Sequence, residues 1–142
     1  MADRISELRK INRMKEEVSY DLAGTVIGLA MTVHRELGPG FQESVYQNAL
    51  ALEFSEHGLV SEQFIKLSVF YKGRLVGDFV ADMAFGKELI IELKAVSTVL
   101  PAHEVQLVNY LKATGINEGL LLNFGAESLQ FKKKYLHRIT SK

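Results

Sequence analysis

The hydrophobic pattern predicts an α/β domain: two helices, a three-strand antiparallel meander, then a helix and a closing strand. Three observations carry this. The apolar spacing is helical up to about His57. It then becomes strand-like through FIKLSVFY, RLVGDFVADMAF and LIIELKAV, which Lys72-Gly73 and Gly86-Lys87-Glu88 separate. Finally, Pro101 and Gly115 bracket a helical stretch that runs into the apolar segment GLLLNF. With 142 residues, one domain with a sizeable core is expected.

Taken in order, residues 1–20 form an N-terminal arm, with Ile5, Leu8, Ile11 and Val18 set among many charges. The domain proper spans 21–142. Ser19 or Asp21 is placed to cap a helix that runs to about Leu37 and ends at Gly38-Pro39-Gly40. Another helix runs from about Gln42 to His57 and stops at Gly58. The meander follows. Proline at Pro101 suits a first helical turn, and PAHEVQLVNYLKATG ends at Gly115. GLLLNF reads as a short buried strand, and the tail LQFKKKYLHRI has no assignable period.

Composition narrows the function classes. The chain is 47% hydrophobic and 24% charged, with 17 basic and 17 acidic residues, so no global field favours nucleic acid or membrane. A nucleic-acid partner would have to meet a local patch. The absence of cysteine excludes disulfides, thiolate zinc sites and cysteine nucleophiles. The polar start is neither a secretory signal nor a typical transit peptide, and the apolar run Leu22–Val33 is short against the roughly 20 residues of a bilayer span. A cytoplasmic protein without membrane contact is the expectation.

The segment ADMAFGKELIIELKA, residues 81–95, raises the chemical question. Alternation places Phe79, Ala81, Met83, Phe85, Leu89, Ile91, Leu93 and Ala95 on one wholly apolar face. Asp78, Asp82, Glu92 and Lys94 fall on the other. A three-residue loop at Gly86-Lys87-Glu88 pairs Phe85 with Leu89 and sets Asp82 opposite Glu92. A two-residue turn would leave a polar residue in the core, so burial favours the longer loop. Facing carboxylates, with Cβ atoms roughly 5 Å apart, repel as bare anions and suit a hard divalent cation such as Mg²⁺ or Mn²⁺ between them. Lys94 adds a cation on the same face, able to neutralise charge on a phosphate. The plain alternative is a cross-strand ion pair of Lys94 with Asp82 or Glu92, and spacing alone leaves both readings open.

Asp82, nine intervening residues, then Glu92-x-Lys94 resembles the signature of the PD-(D/E)XK nuclease superfamily. GFQESVY, Gly40 to Tyr46, preceded by VHRELGPG, is similar to the small bacterial and archaeal family called GxxExxY proteins within it. Gln106-x-x-x-Tyr110 resembles the Q-x-x-x-Y helix motif of RecB-type nucleases, and GLLLNFG stands where the family has its next strand. The resemblance covers about residues 20–139. It departs in one place, with Ala81 rather than proline before Asp82.

The resemblance implies a restriction-endonuclease-like core: a central mixed sheet whose antiparallel meander is flanked by helices. It implies that Asp82, Glu92 and the Leu93 carbonyl ligate Mg²⁺ or Mn²⁺, with Glu43 approaching the same centre. Lys94 would act on the attacking water or scissile phosphate, and Gln106 and Tyr110 would orient Lys94 or touch the phosphate backbone. Asp78 is a competing acid whose spacing to Glu92 fits less well.

Glu43 has a plainer role open to it, favouring the dipole at its helix start. Tyr46 is expected as a half-buried packing residue and His34 as a satisfied structural one. His103 shares a face with Gln106 and Tyr110 but also suits a first-turn surface position. Lys132, Lys133, Lys134 and Arg138, flanked by Phe131 and Tyr135, would either track a phosphate backbone or form a solvated face. No phosphate-cradling loop of the ATPase type occurs. The expected function is metal-dependent hydrolysis of phosphodiester bonds of DNA, which the resemblance favours over RNA as the partner. The alternative is a catalytically silent nucleic-acid-binding or assembly module on the same fold. A core this small implies self-association, at least as a homodimer, or a protein partner.

Overall fold

The computed structural model describes Ser6 and residues 21–137. Apart from Ser6, the expected arm at 1–20 lies outside the described residues, as does Arg138.

Helix α1 (Leu22–Leu37) buries Ala23, Val26, Ile27, Ala30, Val33 and His34, one stripe at three- and four-residue spacing. Asp21 is its N-cap by position, but its carboxylate makes no capping bond; its carbonyl accepts from the Thr25 amide at 3.1 Å. Gly38, at φ +69°, ends the helix in a conformation that glycine adopts at little cost. Helix α2 (Glu43–Glu56) buries Tyr46, Gln47, Leu50 and Phe54.

Strands β1 (Glu62–Tyr71), β2 (Arg74–Phe85) and β3 (Leu89–Lys94) form the meander. Helix α3 (Pro101–Thr114) closes on Gly115 in the left-handed region and leads into β4 (Glu118–Asn123). The tail that had no assignable period forms β5 (Gln130–Tyr135), which pairs antiparallel with β4. A strand whose three central residues are lysines carries little apolar alternation to read, but suits a sheet edge.

The five strands lie in chain order, antiparallel except for β3 and β4, which run parallel through the α3 crossover. The fold is therefore a mixed sheet between helices, α1 and α2 on one side and α3 on the other.

The β2–β3 register is the one that the three-residue loop requires: Phe85 faces Leu89, Ala84 faces Ile90 and Met83 faces Ile91. The single apolar face expected along β2 is not continuous. Met83 and Phe85 pack under α1 and α2, whereas Phe79 and Ala81 pack with α3. The side changes at Asp82. Opposite it, the β1–β2 ladder pairs Gln63 with Met83 and Ile65 with Ala81 but skips Phe64, whose φ of +55° is unusual for a bulky residue. A local break of the pleat at Phe64 and Asp82 is what transfers β2 from one core to the other.

Candidate functional site

In the row at Phe64, Asp82 and Glu92 the ladder lapses on both sides of β2, and side chains take over there, while β3 keeps its pairing of Glu92 with Leu121. The β2–β3 pairing stops at Met83 and Ile91, one step short of Asp82 and Glu92. Instead, the Asp82 amide donates to Glu92 Oε1 at 3.1 Å, and the Leu93 amide donates to Asp82 Oδ2 at 2.7 Å. Each acid is thus fixed by the neighbouring strand's backbone, a charge-assisted arrangement that locks both rotamers.

Glu92 is 6% exposed. Burial first, and the Asp82 charge second, push its carboxyl up to about 8; the Asp82 amide and Lys94 pull the other way. Burial and the neighbouring Asp82 charge thus favour the protonated form of Glu92. Tyr110 is buried under the same face. Its ring stacks on Phe79 with centroids 3.9 Å apart, and burial followed by the charges of Glu92 and Asp82 raises its hydroxyl. These are the environments that functional carboxylate pairs use.

Lys94, at the end of β3, is half-buried, and its carbonyl accepts from the Phe124 amide at 2.8 Å. Its charge is felt by both Glu92 and Glu43. Glu43 opens α2 and is exposed; desolvation and the Asp82 charge raise its carboxyl against the pull of Lys94 and His103. Among the described residues, no three histidine, aspartate or glutamate side chains gather as a metal cluster. Glu43 stands at a solvated helix start, close enough to act through its charge, while Asp82 and Glu92 form the clasp.

The remaining candidates separate. Gln106 is exposed and makes no side-chain hydrogen bond with the described residues, whereas Tyr110, on the same helix, reaches the acids' field. His103 accepts the Leu100 amide at 3.1 Å, closing the first turn of α3. His34 is satisfied by the Ala126 carbonyl at 2.9 Å. Asp78 pairs with Ser68 at 3.0 Å and Lys66 at 3.7 Å, away from Glu92. The three lysines do not form one patch. Lys132 and Lys134 stand opposite Leu121 and Gly119, on the α3 side, and Lys134 meets Glu104 at 2.7 Å. Lys133 stands opposite Leu120, on the other side.

Tyr46 is fully buried rather than half-buried. Its hydroxyl donates to the Gly38 carbonyl at 2.6 Å and accepts from the Phe41 amide at 3.1 Å, while its ring stacks on Phe124. It thereby holds the turn that delivers Glu43. Two further residues escaped sequence reasoning. Gln47, buried on α2, donates to the Asp82 carbonyl at 2.9 Å. Asn123, fully buried, bonds both the amide and the carbonyl of Val96, just past Lys94. A lone amide ending the apolar run GLLLN was the available signal for Asn123; Gln47 had none.

Hard carboxylate oxygens on two acids held side by side, with the Glu92 carboxyl raised by burial and by the Asp82 charge, are a donor set that fits a divalent cation.

No curated protein matches the chain. Among solved structures, one described as the crystal structure of SSO0001 superposes with a TM-score of 0.53 at 17% identity, over 65% of this chain and 48% of that one. The chain thus spans about half the length of the solved relative, and the likeness is one of fold. A model of the PD-(D/E)XK nuclease superfamily matches residues 20–136. That is most of the sequence and includes the clasp, so the chain belongs to the PD-(D/E)XK nuclease superfamily.

Proposed function

We propose that the protein is a Mg²⁺- or Mn²⁺-dependent nuclease that hydrolyses phosphodiester bonds of DNA, with RNA as a second substrate, and that it is of the GxxExxY type. The observation that carries this reading is the reciprocal clasp of Asp82 and Glu92 beside Lys94. Asp82, Glu92 and the Leu93 carbonyl would hold the cation. When bound, that cation supplies Lewis-acid chemistry and charge neutralisation.

The chain's own groups do the rest. Because the Leu93 and Asp82 amides fix the two carboxylates, the pair would hold a cation with little reorganisation. The Lys94 ammonium offers positive charge to a phosphate approaching the same face. Tyr110, held against Phe79, forms an apolar wall that limits water around the acids. Glu43 adds negative charge at the rim, which favours cation entry.

The test is incubation of linear, circular and single-stranded DNA with Mg²⁺ or Mn²⁺, beside Glu92→Ala and Lys94→Ala. Wild type should cleave, and each variant should lose at least about 100-fold in rate. Unchanged cleavage in both variants would place the activity elsewhere.

A non-cleaving binding or assembly module is the second reading. It draws on the lack of a gathered third acid among the described residues. No cleavage of any substrate, together with no heat on Mn²⁺ titration, would favour it.

A further inference from the structure

In the row that carries the two acids β2 loses its ordinary pairing with both neighbouring strands, and one buried side chain from outside the sheet reaches into that row. Gln47 is 4% exposed, and its amide nitrogen donates to the Asp82 carbonyl at 2.9 Å and to Gln63 Oε1 at 3.3 Å. The β1–β2 ladder passes over Asp82, with Phe64 turned to positive φ. The peptide that leaves Asp82 is therefore held from α2, beyond the regular cross-strand pairs. That peptide also sets where the Asp82 carboxylate points, and so whether Oδ2 meets the Leu93 amide.

We propose that Gln47 is a positioning residue for the cation site: it fixes the backbone at Asp82 so that the aspartate and Glu92 present one preformed pair of ligands. The inference rests on the nuclease reading above, and extends it to a residue whose type and spacing match no motif in the sequence. Gln47 lies one helical turn after Glu43, so the same bond also ties the helix that carries Glu43 to the strand that carries Asp82. Groups that orient metal ligands without touching the metal commonly change affinity by about 10- to 100-fold.

The test is Mn²⁺ affinity by calorimetry for wild type, Gln47→Met and Gln63→Ala, with Leu50→Val as a core variant that leaves the bond intact. Gln47→Met keeps length and burial but removes the donor. Gln63 is exposed, so its variant tests the weaker arm of the same bond pair without disturbing the core. The expected result is about a 10-fold weaker Mn²⁺ affinity for Gln47→Met, about 3-fold for Gln63→Ala, and none for Leu50→Val. Cleavage by Gln47→Met should recover at saturating Mn²⁺, a response that loss of stability alone would not produce. Equal Mn²⁺ affinity in wild type and both glutamine variants overturns the proposal and leaves the nuclease reading standing. A proportional loss in Leu50→Val also overturns it, since the effect would then follow stability. A wild-type protein that binds no Mn²⁺ overturns both.

Discussion

The two faces of the sheet are built for different work. Under α1 and α2 lies a core of sixteen buried residues, with Tyr46 stacked on Phe124 and Phe54 set edge-on to Phe85. Under α3 the core has seven among the described residues, Tyr110 included, and its margin carries Glu92 and the paired Lys134 and Glu104. The first face is dry and specifies the fold. The second gives up apolar area to hold charges in a fixed place, a cost that chemistry can justify and stability alone would not. Asp82 stands where β2 crosses between the two.

That contrast can be broken by truncating matched core residues. Leu50→Ala, under α1 and α2, should cost about 4–5 kcal/mol in urea unfolding, and Leu111→Ala, under α3, about 2–3 kcal/mol. Both residues are fully buried, so equal costs would mean that the smaller core is as tightly built as the larger.

The next largest effect is the pH dependence that Glu92 imposes. In the folded chain its carboxyl keeps a proton up to about pH 8, while the unfolded chain releases it near the ordinary 4.5. Between those values the folded state binds more protons than the unfolded one. Stability is therefore fully present below about pH 4.5 and falls as pH rises through about 8, by on the order of a few kcal/mol. Urea unfolding at pH 5 and pH 9 should show this fall, and Glu92→Gln should flatten it. Added Mn²⁺ should restore wild-type stability at the higher pH and do nothing for the variant.

Smaller effects sharpen the same comparison. A Cβ on Gly125 would come within 2.4 Å of the Val96 backbone, so Gly125→Ala should cost about 1–3 kcal/mol by thermal melting. Lys134→Ala breaks a partly exposed pair and should cost no more than about 1 kcal/mol. A larger loss would mean that the charged margin of the α3 face contributes to the fold as well as to the site.

The helices, the meander and its register were legible in the sequence because periodicity and turn residues encode them locally. The loop at Gly86-Lys87-Glu88 alone brought Asp82 opposite Glu92, and the pairing of Phe85 with Leu89 follows it. The crossing of β2 between cores was not legible, because it depends on Phe64 adopting a conformation that nothing in its neighbours' types demands. Strand β5 was hidden for a related reason: an edge strand of lysines shows no buried alternation. At the site, Asp82, Glu92, Lys94 and Tyr110 share one neighbourhood, and Glu43 feels the charges of Asp82 and Lys94 from an exposed helix start. Gln47 acts through the Asp82 carbonyl, distant in sequence, and such a partner leaves no local trace.

The central claim is that the Asp82–Glu92 clasp holds the cation on which phosphodiester hydrolysis depends. The most direct measurement is the rate of cleavage of end-labelled DNA by wild type and by Glu92→Gln, at one saturating Mn²⁺ concentration. The clasp predicts cleavage by wild type that chelation abolishes, and a loss of at least about 100-fold in the variant. Cleavage by Glu92→Gln at the wild-type rate would contradict it.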